Sequence, residues 1–435
     1  MYKELPEGWK WEKLGEICKT TSGGTPSRGN KNYYNGNIPW VKSGELDKGL
    51  ILDTEEKITQ EAVKNSSAKI FPKGTLLIAL YGATIGKLAF LGVEASTNQA
   101  ICGIYESNNL DSKYLYNYLL HKKQKLVNQG IGGAQPNISQ TILKNLDVPV
   151  PSLNTQNAIV SKIEELFSEL DKGIENLKTA QQQLKVYRQS VLKWAFEGKL
   201  TNGLNHDSFD FSDENDLAMV AESQEVYGSA KNLENQASQK NPNAENKGLP
   251  EKWKWTPINQ VTYNLDGKRI PLSRTVRSTR KGTFRYYGAT EIVDYIDDYL
   301  FDGEYILIGE DGANLLSKSK PLAFIVEGKF WVNNHAHVLQ SKPNMMNKYL
   351  CYFFNSLNIA EFVTGTAQPK LSQGNLNKIK IPICTIEEQI KIVQEIESRL
   401  SVADKMEETI QQSLLQAESL RQSILKKAFE GELVK

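Results

Sequence analysis

Hydrophobic residues recur at heptad spacing along two stretches of the chain. In the first, Ile163, Leu170, Leu177, Leu184 and Val191 stand seven apart, and Ile159, Leu166, Gly173, Ala180, Tyr187 and Trp194 fill the complementary series. About five heptads of this pattern predict one long helix with an a/d seam. From Gln156 to Ala195 it measures about 60 Å at 1.5 Å per residue. In the second stretch Ile396, Ala403, Ile410, Ala417 and Ile424 run with Ile392, Met406 and Leu420, a seam diluted by Arg399, Ser413 and Lys427. Such seams need a partner helix, so the two stretches are expected to pair with each other. Gly173 and Ala180 point to close helix approach near the middle.

The two helices belong to an internal repeat. Leu5-Pro-Glu-Gly-Trp-Lys-Trp11 returns as Leu249-Pro-Glu-Lys-Trp-Lys-Trp255, an offset of 244. Ala134-Gln-Pro136 returns as Ala367-Gln-Pro369, and Gln189-Ser-Val-Leu-Lys193 with Ala195-Phe-Glu-Gly198 returns as Gln422-Ser-Ile-Leu-Lys426 with Ala428-Phe-Glu-Gly431, all at 233. The helical part is therefore copied without net insertion, and the segment before it is variable: Ile38-Pro-Trp-Val-Lys-Ser-Gly44 stands in one half where Arg285-Tyr-Tyr-Gly-Ala-Thr290 stands in the other. Pseudo-twofold symmetry would set the helices antiparallel. The expected fold class is α+β: two pseudo-twofold-related globular domains, at 1–150 and 248–383, joined by two long helices, at 151–201 and 384–435, forming an antiparallel coiled coil. A polar linker fills 202–247.

Composition narrows the function classes. The chain has 435 residues, 40% hydrophobic and 24% charged, the balance of a globular protein of two or three domains. It has no apolar run near the ~20 residues a membrane span requires, and the opening Met1-Tyr-Lys-Glu-Leu-Pro6 does not read as a signal peptide; a cytoplasmic location is expected. The net charge of +1 conceals a division. The linker has nine acidic and three basic residues, while segments 1–150 and 248–383 carry +4 and +5. Positive charge thus gathers in the two variable domains, as nucleic-acid contact requires.

Seven cations fall within eighteen residues at Lys268, Arg269, Arg274, Arg277, Arg280, Lys281 and Arg285, followed by Tyr286. Interleaved Ser, Thr and Gly suggest a phosphate-gripping loop rather than a helix face. The matching part of the first domain offers hydroxyls, amides and glycine backbone beside two cations: Ser22, Thr25, Arg28, Lys31, Asn32 and Tyr33, with Lys42, Ser43 and Tyr81 further on. The repeated Gln-Pro motifs add Gln135 and Asn137 in one half and Gln368 and Lys370 in the other. Gln can make a bidentate contact to an adenine edge, although its retention in both copies favours a structural role.

Catalytic motifs are near misses. Gly82-Ala-Thr-Ile-Gly-Lys87 is one residue short of a phosphate loop and ends in Leu88 where Ser or Thr must bind magnesium; it is read as strand-turn-strand. Asp311 with Glu327-Gly-Lys329 loosely matches a metal-dependent nuclease, and the first domain lacks the lysine. His335-Ala-His337 places two imidazoles on one face of a strand without obvious further ligands. Cys18, Cys102, Cys351 and Cys384 lie far apart and read as reduced, buried thiols.

The repeated Leu-Pro-Glu-x-Trp-Lys-Trp opening, Gln135-Pro136 ahead of Val148-Pro-Val-Pro151, Gln156 at the helix start and the closing Ala195-Phe-Glu-Gly-Lys-Leu200 resemble the specificity subunit of Type I restriction-modification systems. The resemblance spans nearly the whole chain outside the linker. It implies two target recognition domains that contact double-stranded DNA, a helical spacer, two methyltransferase subunits docked on the helices and two restriction subunits joining them. It implies no catalytic residue, no metal and no cofactor on this chain, since S-adenosylmethionine, ATP and magnesium serve the partners. Two rival classes are a free-standing DNA-binding regulator and a nuclease built on Asp311 and Glu327.

Overall fold

The computed structural model describes residues 5–129, 137–200, 249–365 and 367–434; the acidic linker and Gln135 lie outside them. The chain divides into two compact units, Met1–Leu177 with Gln412–Lys435, and Lys178–Gln411. Each unit therefore holds one globular domain and a part of both long helices.

The long helices run unbroken from Leu153 to Phe196 and from Ile386 to Phe429, 44 residues each. Ser152 and Thr385 start them by accepting the backbone N–H of Thr155 and Glu388 on their hydroxyls, an N-cap that satisfies one of the four orphan donors of a helix. Just inside, the repeated glutamine is fully buried in both copies. Gln156 donates to Pro151 O and Asn109 O and accepts from Asp111 N. Gln389 does the same with Cys384 O, Asn344 O and Met346 N. One side chain thus fastens each helix to the loop that opens another helix, at Ser112 or Asn347.

Within each unit the two helices pack antiparallel. In the first, Ile159 and Ile163 share a core with Ile424, Leu425, Ala428 and Phe429, and Arg421 pairs with Asp171 while lying over the Phe167 ring. In the second, Leu184, Tyr187 and Val191 meet Ile392, Ile396 and Ala403, and Arg188 pairs with Asp404 at 2.6 Å and Glu407 at 3.0 Å. The 233-residue offset converts Arg188 into Arg421 and Asp171 into Asp404, so each copy offers its arginine to the other copy's aspartate. Exposed pairs of this kind contribute only ~0.5 kcal/mol; burial of the apolar seam supplies most of the stability.

The series Ile396, Ala403, Ile410, Ala417 and Ile424 is buried throughout, as the heptads predict, but Met406 and Leu420 are 36% and 51% exposed. Gly173 is exposed too, and a methyl group built on it would meet nothing. The close approach expected there is absent: a two-helix pair buries a narrow stripe, and the positions beside it face solvent.

Each helix ends in the globular domain of the opposite copy. Phe429 lies against Tyr114, Tyr118 and His121, with ring centroids 5.0 to 5.7 Å away; Phe196 meets Tyr349 and Phe353 edge-on. The glycines that follow, Gly431 and Gly198, sit at φ +75° and +73°, and a Cβ on either would strike Pro6 or Pro250. Only glycine meets both conditions, which accounts for the repeated Phe-Glu-Gly.

In the first unit a five-stranded sheet runs in the order Thr20–Ser22, Ile101–Ile104, Leu76–Ala79, Leu88–Leu91, Leu50–Ile51, beside a four-stranded sheet of Lys57–Ile58, Tyr34–Val41, Ala95–Thr97 and Ile70–Phe71. In the second a six-stranded sheet runs Thr262–Asn264, Ala336–Ser341, Phe301–Gly309, Ala323–Val332, Lys281–Tyr287, Ile292–Ile296. Each unit adds a two-stranded ribbon in which the repeated Trp faces a proline, Trp11 opposite Pro149 and Trp255 opposite Pro382. No helix among the described residues is long and apolar enough to cross a membrane.

His121, packed on Phe429, is held down to about 4 by burial, with the charge of Lys122 adding to it. The unfolded chain takes up this proton near pH 6.5, so between about 6.5 and 4 the unfolded state binds more protons and stability falls as pH falls. Replacing His121 by Phe is expected to flatten the decline of the first unit's unfolding midpoint over that window. Equal slopes for the two proteins in pH-dependent denaturation would contradict this.

Candidate nucleic-acid interface

In the first unit five segments are tied together at one edge of the strands. Gly23 N donates to Ile101 O, Gly24 N to Thr97 O, Asn98 N to Val41 O, Leu80 N to Ala100 O and Ile138 N to Leu80 O, all at 2.8 to 3.0 Å. Gly23 and Gly24 are clasped so closely that a Cβ on either would overlap the Thr97 or Ser67 backbone. Their backbone is therefore committed to packing and is not a phosphate cradle.

This edge collects Ser22, Thr25, Tyr81 and Asn137 from the predicted set. Thr25 bonds Gln99, Ser22 accepts from the Gln140 amide, and Tyr81 and Asn137 form a single β-bridge. Asn98, Gln99 and Gln140 join them and were not singled out by sequence; their strand-end positions emerge only from the register.

Two of the three predicted cations near this edge, Arg28 and Lys42, are already paired. Arg28 lies 2.5 Å from Glu56 and stacks over the Tyr34 and Trp40 rings; Lys42 bonds Glu55 and Glu56 at 2.9 and 3.2 Å. The hydrogen bond from Arg28 holds the Glu56 carboxyl below the ordinary range. Tyr33 packs into the apolar cluster of Ile38 and Trp40, whereas Lys31 and Asn32 are exposed on a short turn and Ser43 opens another.

The second unit forms the same edge from different side chains. Asn333 N donates to Tyr287 O, Glu310 N to His335 O, Leu371 N to Glu310 O and Leu265 N to Val338 O. By strand register Glu310 replaces Leu80, and the cross-strand neighbours Asp266 and His337 replace Ser22 and Cys102. Lys268, Gln368 and Lys370 are exposed here.

The basic run differs from the expected open loop. Arg274–Thr279 is a short helix capped by Ser273, and Lys281–Tyr287 is a strand. That strand pairs antiparallel with Ile292–Ile296, which brings acids against the cations. Arg277 bonds Asp294 and Leu272 O beneath the Tyr286 ring; Lys281 bonds Asp294, and Arg280 bonds Asp297 and Asp298. Lys281, with backbone and arginine help, pushes Asp294 down to about 2. Arg285 bonds Glu327 O, and Tyr286 is wholly buried and so is no base reader. Lys268 and Arg274 remain exposed and form no ion pair among the described residues.

Arg269 is only 12% exposed and lies 2.6 Å from Glu310. Asp266, Glu310 and His337 present ligand atoms within 4.8 Å of one another, yet Arg269 and Lys370 already neutralise Glu310, so this is an ion-pair cluster and not a metal cage. Burial raises the Asp266 carboxyl, but the hydrogen bond and charge of His337, the Val338 N–H and the charge of Arg269 together outweigh it and leave it below its ordinary value. His335 instead pairs with Asp311 outside the strand.

The remaining motifs are structural. Glu327 faces Glu304 across the ladder, seven residues from Asp311 and hence about 20 Å along the strand, too far to share a metal. Gly82 to Lys87 is a turn between two strands, and Lys87 pairs with Asp47. Burial pushes the Cys18 thiol up to about 11 and Cys102, Cys351 and Cys384 up to about 12.

Arg277→Ala should therefore destabilise the second unit by about 1–3 kcal/mol, because Asp294 Oδ2 and Leu272 O each lose their arginine donor, whereas Arg274→Ala should change stability by less than about 0.5 kcal/mol. Denaturant midpoints of the two variants measure this, and equal midpoints would contradict it.

The geometry can be set beside known proteins. A family model described as the Type I restriction modification DNA specificity domain matches residues 6–179 and 250–416. A putative type I restriction enzyme specificity subunit of Haemophilus influenzae is 34% identical over 144 residues, 33% of this chain and 36% of that one. The EcoR124I/EcoR124II specificity subunit of Escherichia coli is 30% identical over 195 residues, 42% of this chain and 48% of the relative. These two matches span less than half of the relatives' own length. The Escherichia coli EcoDI specificity subunit is 23% identical over 442 residues, 99% of this chain and 90% of the other. A chain solved in work on complex assembly and conformational transition of the type I R-M system superposes with TM-score 0.70 at 17% identity, covering 99% and 100%. The HsdS subunit from Thermoanaerobacter tengcongensis gives 0.58 at 16%, covering 99% and 98%; at these identities the likeness is one of fold. With the family model matched once in each copy of the repeat, this chain belongs to the Type I restriction-modification DNA specificity family.

Proposed function

We propose that the chain reads a bipartite, non-palindromic target in double-stranded DNA, one half-site per globular domain, and directs adenine methylation and cleavage carried out by partner subunits. The observation that carries this reading is the strand-end edge, built twice on one hydrogen-bond frame and lined differently each time. Ser22, Tyr81 and Asn137 line one; Asp311, Gln368 and Lys370 line the other. A constant frame with rewritten polar edges suits two unlike major-groove half-sites.

In this account the side chains at each edge meet bases while Lys31, Lys268 and Arg274 meet phosphate and fix the register. The helix pair sets the spacing, with half-sites about one helical turn, ~34 Å, apart. Two methyltransferase subunits dock on the helical regions and two restriction subunits join them in the cytoplasm. The chain carries no catalytic group of its own; S-adenosylmethionine, ATP and magnesium are bound by the partners.

Two outcomes are expected. Removing Leu170–Asn176 together with Gln416–Gln422, which deletes Asp171 along with its partner Arg421, shortens the rod by about 10 Å. The methylated motif should then keep both half-sites and lose about three base pairs of gap, read by methylation sequencing. An unchanged gap would refute the spacer role. Separately, Lys268→Ala and Arg274→Ala should each lower the slope of log affinity against log salt by about 0.9. Loss confined to one base position, with an intact slope, would make these residues base readers.

A further inference from the structure

The second domain holds a buried ionic cluster where the first is apolar or neutral. Glu310 is 8% exposed, and His337 is fully buried. His337 spans Asp266 at 2.6 Å and Leu371 O at 2.7 Å; Arg269 bonds Glu310 and Ala336 O at 2.6 and 2.7 Å; and Lys370 reaches Glu310 at 3.2 Å. The first domain builds the same strand junction with Leu80, Ser22 and Cys102, so the frame does not require charge. Buried ion pairs return little more than their desolvation costs, and the stability of the frame therefore does not account for this one.

What the cluster does hold is the segment after Gln368. Backbone bonds from Gly312 N to Pro369 O at 3.0 Å and from Leu371 N to Glu310 O at 2.8 Å belong to the frame whatever the side chains, and the cluster adds His337 to Leu371 O at 2.7 Å and the Glu310–Lys370 ion pair at 3.2 Å. Gln368 stands exposed at the end of this clamp. A glutamine discriminates adenine through two hydrogen bonds at once, which requires a fixed backbone.

We propose that Glu310, braced by His337 and Asp266, is a specificity-determining positioning residue of the second domain: it fixes the Gln368-Pro369-Lys370 loop and withholds the charges of Arg269 and Lys370 from phosphate. This rests on the DNA-reading function proposed above. A purely structural carboxylate, once lost, would weaken every kind of DNA binding. A positioning carboxylate makes nonspecific binding stronger and specific reading poorer, because its removal frees cations and loosens the reader.

The test uses the complex of this chain with its methyltransferase subunits, carrying Glu310→Gln or the triple substitution Asp266→Ser, Glu310→Leu, His337→Cys, which installs the first domain's own residues. Binding is measured over a salt series to the target, to duplexes mismatched in either half-site and to unrelated duplex. Both variants should bind unrelated duplex severalfold tighter, with a salt slope steeper by about 0.9 per freed cation. Discrimination against second half-site mismatches should fall at least tenfold, with the first half-site read as before. Unchanged discrimination and slope in Glu310→Gln would overturn the inference, as would equal losses at both half-sites. If the unmodified complex binds target and mismatched duplexes alike, the DNA-reading function itself fails and the inference falls with it.

Discussion

Two 44-residue helices, each with one apolar stripe, cannot bury that stripe alone, and the rest of the molecule is arranged around this constraint. The repeat supplies the partner. Each compact unit contains a part of both helices, and within each the seam closes antiparallel over Ile163 and Ile424, or Tyr187 and Ile396. The helix ends follow from the same requirement. Phe429 and Phe196 enter the domain of the opposite copy, and the left-handed glycines behind them let a proline of the opposite copy's opening motif pack close. Neither globular domain has a complete core without the other copy's helix, so domains and helix pair are parts of one folding problem.

Once the frame is fixed in this way, the strand-end edges can vary. Backbone hydrogen bonds at Leu80 and Glu310, or at Val41 and Tyr287, are indifferent to side chain. The edge therefore accommodates a hydroxyl-and-amide lining in one domain and an ionic one in the other at no cost to the ladder. Burial of Gln156 and Gln389, each satisfied by three backbone groups, keeps the helices in register with the domains while the edges differ.

Much of this architecture is legible in the sequence. Heptad spacing locates both helices to within a few residues, because seam period and helix geometry are directly linked. The exposure of Met406 and Leu420 is not legible: small residues at 403 and 417 narrow the buried stripe, and that depends on the partner. The basic run misleads for a related reason. Counting cations between 268 and 285 says nothing of Asp294, Asp297 and Asp298, which a hairpin folds back onto Arg277, Arg280 and Lys281. The ionic cluster escaped because its members lie at 266, 269, 310, 337 and 370 and meet only through sheet register. Gln135 and the linker lie outside the described residues.

The measurement that bears most directly on the central claim is long-read methylation sequencing of the host genome with and without this chain. The account predicts that a single gapped adenine motif, with two unlike half-sites, loses its modification when the chain is removed. An unchanged methylome would contradict it.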